Sequence, residues 1–157
     1  LQTVERSDTI SLAALTEEVF CDLDPVAEKH QVRLIQTDGD CTVTGSYILL
    51  YRAVYNLVEN AIKYNRPSGS VTVSIHTAES AVLEVTDTGI GISPENQEKI
   101  FDPFYRVDKS RSRAMGGAGL GLALVSEIAR QHNGQVKVTQ SSEKGSTIAL
   151  MLPVTLL

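Results

Sequence analysis

The chain has 157 residues, 42% hydrophobic and 21% charged, enough for one globular domain with a sizeable core. Its formal net charge of −5 excludes a broad electrostatic nucleic-acid footprint, although local basic clusters remain available to bind phosphate. No apolar run reaches the ~18 residues of a membrane span, and no signal peptide is visible.

The two cysteines, Cys21 and Cys41, lack metal-ligand spacing and are expected to be buried free thiols in reduced surroundings. Because the chain starts at Leu1 rather than Met, it is expected to be a piece of a longer protein, with any anchor or partner domain upstream.

In chain order, Ser7, Asp8 and Ser11 are candidate caps for a first helix, in which Leu12, Leu15, Val19, Leu23 and Val26 recur at helical spacing. Pro25 is expected to kink or split it. "QVRLIQTDGD" reads as a strand running into a turn at Asp38–Gly39, and "CTVTG" as a short strand. Residues 46 to 64 predict a second helix, ended by Asn65-Arg66-Pro67-Ser68-Gly69. "SVTVSIHTAESAVLEVTDTG" predicts a hairpin turning near Ala78–Ser80.

Residues 88 to 118 fit no long periodic element, and a compact domain rarely keeps such a stretch without a functional reason. "GLGLALVSEIARQHNG" predicts a third helix stopped at Asn133–Gly134 by a left-handed cap. "QVKVTQ" and "STIALML" predict a final hairpin around Glu143–Gly145. This order implies helices layered on one face of an antiparallel or mixed sheet.

The second helix carries "NLVENAIKYN", residues 56 to 65. With Asn56 set at zero and ~100° per residue, Asn60 lies near about 40°, Lys63 near about 340° and Glu59 near about 300°. Leu57, Val58, Ala61 and Ile62 fall on the opposite side. A solvated helix face would give such a stripe, but asparagine is a mediocre helix former and gains nothing there. Amide oxygens one turn apart, with an ammonium nearby, suit a Mg²⁺ ion shared with phosphates.

Asp87 ends an apolar strand and is followed by "TGIGI", where glycine permits a sharp turn or close approach to a ligand. A plain strand-to-loop turn is the alternative. "GGAGLGLALV" sets Gly116, Gly117, Gly119 and Gly121 at the mouth of a helix, where free N–H groups and the helix dipole favour an anion. A glycine-rich hinge is the alternative there. The spacing is neither a P-loop nor a Rossmann fingerprint.

Taken together, "NLVENAIKY", "DTGIGI", "FDPFYR", "GGAGLGLALV" and "GST" resemble, in order, the asparagine, first glycine, phenylalanine, second glycine and third glycine boxes of bacterial sensor histidine kinases. The resemblance is to their catalytic, ATP-binding domain, within the wider family sharing the Bergerat fold, and covers the chain from about residue 8 to 153.

It implies an α+β fold: a two-layer α/β sandwich, a mixed sheet of about five strands, three main helices on one face and a mobile ATP lid over roughly residues 101–118. Residues 1–157 would form a single domain without the dimerisation and phosphoacceptor domain.

The resemblance also implies roles. Asn60 would coordinate Mg²⁺, Asn56 would lie beside the same phosphates and Lys63 would contact phosphate; these three are the candidate catalytic residues. Tyr64 would flank adenine or ribose, and Asp87 would accept from the adenine amine, with Gly89 and Gly91 in the loop beside it. Ile90, Ile92, Leu122 and Ile148 would wall the pocket, and Thr147 would reach adenine through water. Gly117, Gly119, Leu120 and Gly121 would offer backbone N–H groups to phosphate. Among the lid cations Arg106, Lys109, Arg111 and Arg113, some would meet the triphosphate, while Phe101 and Phe104 would anchor the lid on the body.

The hydrolysing branch of the wider family has a glutamate four residues before the metal asparagine, where this chain has Asn56. An amide cannot act as a general base at neutral pH. The site is therefore expected to position ATP and Mg²⁺ for an outside nucleophile. His30, His76 and His132 lie in contexts unlike the phosphoacceptor box, and His30 and His132 are expected at the surface.

The implied partners are a histidine-bearing dimerisation domain of the same parent and a response regulator, with no nucleic acid and no direct membrane contact. The parent would be a cytoplasmic or membrane-anchored homodimer and this piece a monomer. Two further readings remain open: a module that senses ATP without transferring phosphate, and an ATPase or serine kinase of the same fold.

Overall fold

The computed structural model describes residues 8–103 and 121–155. The first strand, β1 (Asp8–Ser11), pairs antiparallel with β3 (Thr42–Gly45), and these two form a small sheet of their own. Between them lie α1 (Leu12–Lys29) and β2 (Arg33–Gln36). After β3 come α2 (Tyr47–Lys63), then β4 (Ser70–Thr77) and β5 (Ala81–Asp87). Two 3₁₀ turns, Pro94–Asn96 and Lys99–Phe101, follow. The chain ends with α3 (Gly121–Gln131), β6 (Gln135–Ser142) and β7 (Gly145–Leu152).

The main sheet has five strands in the order β2-β4-β5-β7-β6. Only β2 and β4 are parallel, so the sheet is mixed, as expected. One face carries Val71, Val73, Ile75, Leu83, Val85, Ile148, Leu150 and Leu152 into the core. The same core takes Leu15, Val19 and Leu23 from α1, Val54, Leu57, Val58 and Ile62 from α2, and Val125 and Ile128 from α3. The alternate residues Thr72, Ser74, Glu84 and Thr86 are polar and at least partly exposed, which is how a sheet covered on one face reads.

The helix starts follow from their caps. Ser11 Oγ accepts from Ala14 N–H at 3.1 Å, and the Asp40 carboxylate, reaching across from the β2–β3 loop, accepts from Ala13 N–H at 2.9 Å. Ser46 Oγ accepts from Leu49 N–H at 3.3 Å at the start of α2. Asp8, expected as a cap for α1, caps α2 instead: its Oδ2 accepts from Tyr47 N–H at 3.0 Å. The reason is pairing, since Asp8 sits opposite Gly45, two residues before α2. Ser7 lies outside the described residues. The hydroxyls of Tyr47 and Tyr51 on α2 donate to Glu18 and Asp22 on α1, tying the two helices together.

Three expectations are corrected. Pro25 does not split α1, which runs unbroken from Leu12 to Lys29. The proline is exposed and gives up one backbone hydrogen bond, while Leu23 and Ala27 on either side of it are buried and hold the helix in place. Cys21 is exposed, since it falls on the outer side of α1, whereas Cys41 is buried; both are free. His132 is buried at 2% exposure rather than lying at the surface. No helix of the described residues is long and apolar enough to cross a membrane.

Candidate nucleotide site

Burial of Leu57, Val58, Ala61 and Ile62 against the core turns the opposite face of α2 outward. Asn56, Asn60 and Lys63 lie half-buried on that face, so the predicted stripe exists as a continuous surface. Lys63 Nζ stands 3.8 Å from Glu59 Oε1 one turn back. Asn56 Nδ2 donates to the Gly121 carbonyl oxygen at 3.3 Å, linking α2 to the first residue of α3. A carbonyl only accepts, so the amide nitrogen must face Gly121, and Asn56 Oδ1 points elsewhere.

β5 delivers Asp87 at its C-terminal end, partly buried. Its Oδ1 accepts from Gly89 N–H at 2.9 Å and Ser146 N–H at 3.3 Å, and its Oδ2 accepts from Ser146 Oγ at 3.0 Å. Burial pushes the Asp87 carboxyl above its ordinary value, and the bonds from Gly89 and Ser146 only partly offset this. A carboxylate oxygen has two lone-pair sites, so Oδ2, with one donor on it, can take another from an amino group.

The loop after Asp87 is pinned on both sides. A side chain at Gly89 would run into the carbonyl oxygen of Tyr64 at the end of α2. Gly91 has φ +77° and lies so close to Ser142 that a Cβ would overlap the Ser142 carbonyl oxygen. Ile92 N–H donates to Ser141 Oγ at 2.7 Å, and Gln97 Nε2 donates to Ile92 O at 3.1 Å. Ile92, Leu122 and Phe101 pack partly buried against the core, and Ile148 is buried. Ile90 is 39% exposed, which leaves an apolar surface open beside the loop.

The structure brings Asn56, Asn60, Lys63 and Tyr64 together on one side and Asp87, Gly89, Ile90, Gly91 and Ile92 on the other, joined where Tyr64 meets Gly89. Gly121 and Leu122 close one end through Asn56. Arg106, Lys109, Arg111, Arg113, Phe104, Gly117, Gly119 and Leu120 lie outside the described residues.

Thr147 does not face this site. The register sets Thr147 opposite Thr86 and Ser146 opposite Asp87, so the pleat turns Thr147 to the other side of the sheet. Its hydroxyl is paired with Thr86 Oγ1 at 2.9 Å. Ser146 is the residue of this pair that stands beside Asp87. The sequence signal was available: alternation along "STIALML" puts Ser146, Ile148 and Leu150 on one face.

Asn65 was likewise read only as a helix end. Its Oδ1 accepts from Thr88 Oγ1 at 2.9 Å and its Nδ2 donates to Ser70 O at 2.9 Å, holding the Asp87 loop to the end of α2.

A partly buried carboxylate beside an exposed apolar residue, and a nearby helix stripe of amides and an ammonium, are groups suited to a nucleotide. The model for histidine kinase-, DNA gyrase B- and HSP90-like ATPases matches residues 45–156.

The chain belongs to this ATPase family.

Within the family its likeness is to sensor kinases. It is 46% identical over 123 residues to the sensor-like histidine kinase SenX3 of Mycobacterium tuberculosis, a match covering 76% of this chain and 30% of that protein. It therefore spans about a third of the length of the curated relatives it matches. The mycobacterial sensor histidine kinase MprB superposes with a TM-score of 0.80 at 27% identity, covering 96% of this chain and 99% of that one. Full-length ShkA, solved in complex with AMPPNP, superposes with a TM-score of 0.83 at 23% identity, covering 100% of this chain and 32% of that one, and supports the fold.

Among the described residues, no group of three or more His, Cys, Asp or Glu could hold a metal alone. Asn60, half-buried on the α2 stripe, offers one amide oxygen, and Mg²⁺ is commonly held by one or two protein oxygens with substrate phosphates completing its shell. The residues thus fit a metal that arrives with a nucleotide.

Proposed function

We propose that this domain binds Mg²⁺–ATP between α2 and the Asp87 loop and presents the γ-phosphoryl group to a histidine on a separate dimerisation domain, for relay to a response regulator. Asp87 Oδ2 accepts from the adenine amine, and Ser146 and Gly89 hold the carboxylate in place for it. Gly91 brings the loop backbone close to the base. Asn60 holds Mg²⁺ through its amide oxygen with phosphate oxygens, and the ion supplies charge neutralisation. Lys63 adds a positive charge at the phosphates, and Tyr64 flanks the base or ribose. Backbone N–H groups of Gly117, Gly119, Leu120 and Gly121 face the phosphates, and lid cations among Arg106, Lys109 and Arg111 meet them. Thr147 is left out of the nucleotide contacts.

The observation that carries this reading is Asn56. It occupies the position from which the hydrolysing branch activates water, and an amide whose nitrogen is committed to Gly121 O has no basic group to offer. Phosphoryl transfer then depends on positioning and charge stabilisation, with the nucleophile coming from outside.

Titration calorimetry with AMPPNP, with and without Mg²⁺, tests the site. Asn60→Ala is expected to remove the gain in affinity that Mg²⁺ confers while leaving metal-free binding in place. A Mg²⁺ effect that survives Asn60→Ala would reject the assigned metal ligand.

A further inference from the structure

α2 and α3 run antiparallel, and a hydrogen bond ties them at each end. At one end Asn56 Nδ2 donates to Gly121 O at 3.3 Å. At the other, the backbone N–H of Ser46, the N-cap of α2, donates to His132 Nε2 at 3.1 Å, just past the last turn of α3. Because Nε2 accepts, the ring proton sits on Nδ1, which donates to Ile128 O at 2.8 Å.

The imidazole is buried against Gly45, where any Cβ would collide with ring atoms Cδ2 and Nε2. The two ties lie roughly 15 Å apart along α2.

The N-cap N–H of a helix is often satisfied by a Glu or Gln three residues on. Here that position is Leu49, which offers no acceptor, so a residue on another helix supplies it. An apolar side chain of similar size would fill the volume but leave the part-buried Ser46 N–H without this acceptor, at a cost. With both ties in place α3 can neither slide along α2 nor pivot away from it.

We propose that His132 is a positioning residue for the nucleotide site. Its bond to Ser46 fixes the height of α3 along α2, and so sets where Gly121 and Leu122 stand relative to Asn56, Asn60 and Lys63. The inference rests on reading that stripe as the phosphate and metal side of the site; His132 itself acts only through α3.

The test compares His132→Gln, His132→Asn and Gly45→Ala in the whole domain. Imidazole Nε2 lies three bonds beyond Cβ, where glutamine carries its amide, so glutamine can restore the acceptor to Ser46. Asparagine stops at the place of Nδ1 and cannot. Alanine at position 45 pushes the ring away with His132 present.

AMPPNP affinity with Mg²⁺ is measured well below each melting temperature. His132→Asn and Gly45→Ala are expected to weaken it by roughly three- to tenfold, the worth of one hydrogen bond. His132→Gln is expected to bind like wild type. The side-chain amide NMR signal of Asn56, read without nucleotide, is expected to move in the first two variants and stay in place in the third.

Asparagine and glutamine variants with equal affinity and an unmoved Asn56 signal, whatever their melting temperatures, would overturn the proposal and leave His132 as packing alone. If asparagine at 132 fails to fold, Gly45→Ala makes the same comparison. Wild-type protein that binds no AMPPNP would reject the site reading, and the Asn56 signal would still decide whether His132 positions α3.

Discussion

Ser146 Oγ donates to Asp87 Oδ2 at 3.0 Å across the β5–β7 pair, and the Ser146 backbone N–H donates to the other oxygen of the same carboxylate at 3.3 Å. One residue therefore orients the carboxylate proposed to read the base. Its neighbour Thr147, one step along the same strand, faces away. Ser146→Ala is expected to weaken ATP binding by roughly threefold to tenfold through loss of that orienting bond. Thr147→Val is expected to leave binding unchanged. Calorimetric titration of both variants with AMPPNP reads the difference, and equal effects would contradict a specific orienting role for Ser146.

The buried Asp87 also gives the domain a pH signature. Burial raises its folded-state pKa above the ordinary 3.8, with hydrogen bonds from Gly89 and Ser146 opposing. The folded state then holds a proton that the unfolded chain has released. Ionised Asp87 therefore costs stability at neutral pH, and the cost is relieved as pH falls through its folded-state pKa.

Asp40 has the opposite sign. Burial pushes its carboxyl up, but hydrogen bonds from Ala13, Ser11, Cys41 and Leu12 outweigh this and carry it below 3.8. Its contribution is present above 3.8 and lost as pH falls through the lower folded-state value. In urea unfolding across this range, Asp87→Asn is expected to gain stability relative to wild type as pH rises from 3.8 toward neutrality. A difference that stays flat with pH would mean Asp87 is not desolvated.

Gly91 meets a backbone requirement of the loop after Asp87. Its φ of +77° and the Ser142 carbonyl oxygen where a Cβ would go both oppose a side chain. Gly91→Ala is expected to cost about 1–3 kcal/mol. Gly121 is the contrast: among the described residues a Cβ there meets nothing within 4 Å, at the first position of α3. Gly121→Ala is expected to keep or slightly raise the melting temperature, since alanine outranks glycine in helices by about 1 kcal/mol. Thermal melts of the two variants check this.

Asp40 lets the fold be perturbed away from the site. It caps α1 through Ala13 N–H and Ser11 Oγ, and α1 contributes none of the nucleotide residues. Asp40→Ala is expected to lower stability by about 1 kcal/mol, the usual cost of a lost cap, with AMPPNP affinity unchanged. A loss of affinity in the folded variant would mean that α1 sets the site as well.

What the sequence revealed and what it hid follow from where each signal lies. The Asn56–Asn60–Lys63 stripe was legible because helical periodicity separates it from Leu57, Val58, Ala61 and Ile62 within one segment. The five-stranded sheet was legible from alternation. β1 was not, because its four residues bury only Ile10 and its partner β3 lies more than thirty residues on.

His132 was misread for a related reason. "RQHNG" looks like a solvated helix end, and nothing local reveals that Gly45 leaves a slot for the ring. The pleat separates Thr147 from Ser146, a distinction legible by counting back from Leu150. Pro25 does not break α1 because the buried stripe of Leu12, Leu15, Val19, Leu23 and Ala27 outweighs the cost of one interior proline, about 3 kcal/mol.

On the proposed function, Asn56 belongs to a site that transfers phosphate to an outside histidine and does not hydrolyse ATP on its own. The direct measurement is to mix this domain with a separately made, histidine-bearing dimerisation domain and γ-labelled Mg²⁺–ATP, and to follow label on histidine and free phosphate together. The account predicts label on the histidine that requires Asn60, with negligible phosphate release by the domain alone. Steady hydrolysis by the domain alone, abolished by Asn60→Ala, or tight ATP binding with no label on the histidine, would contradict it.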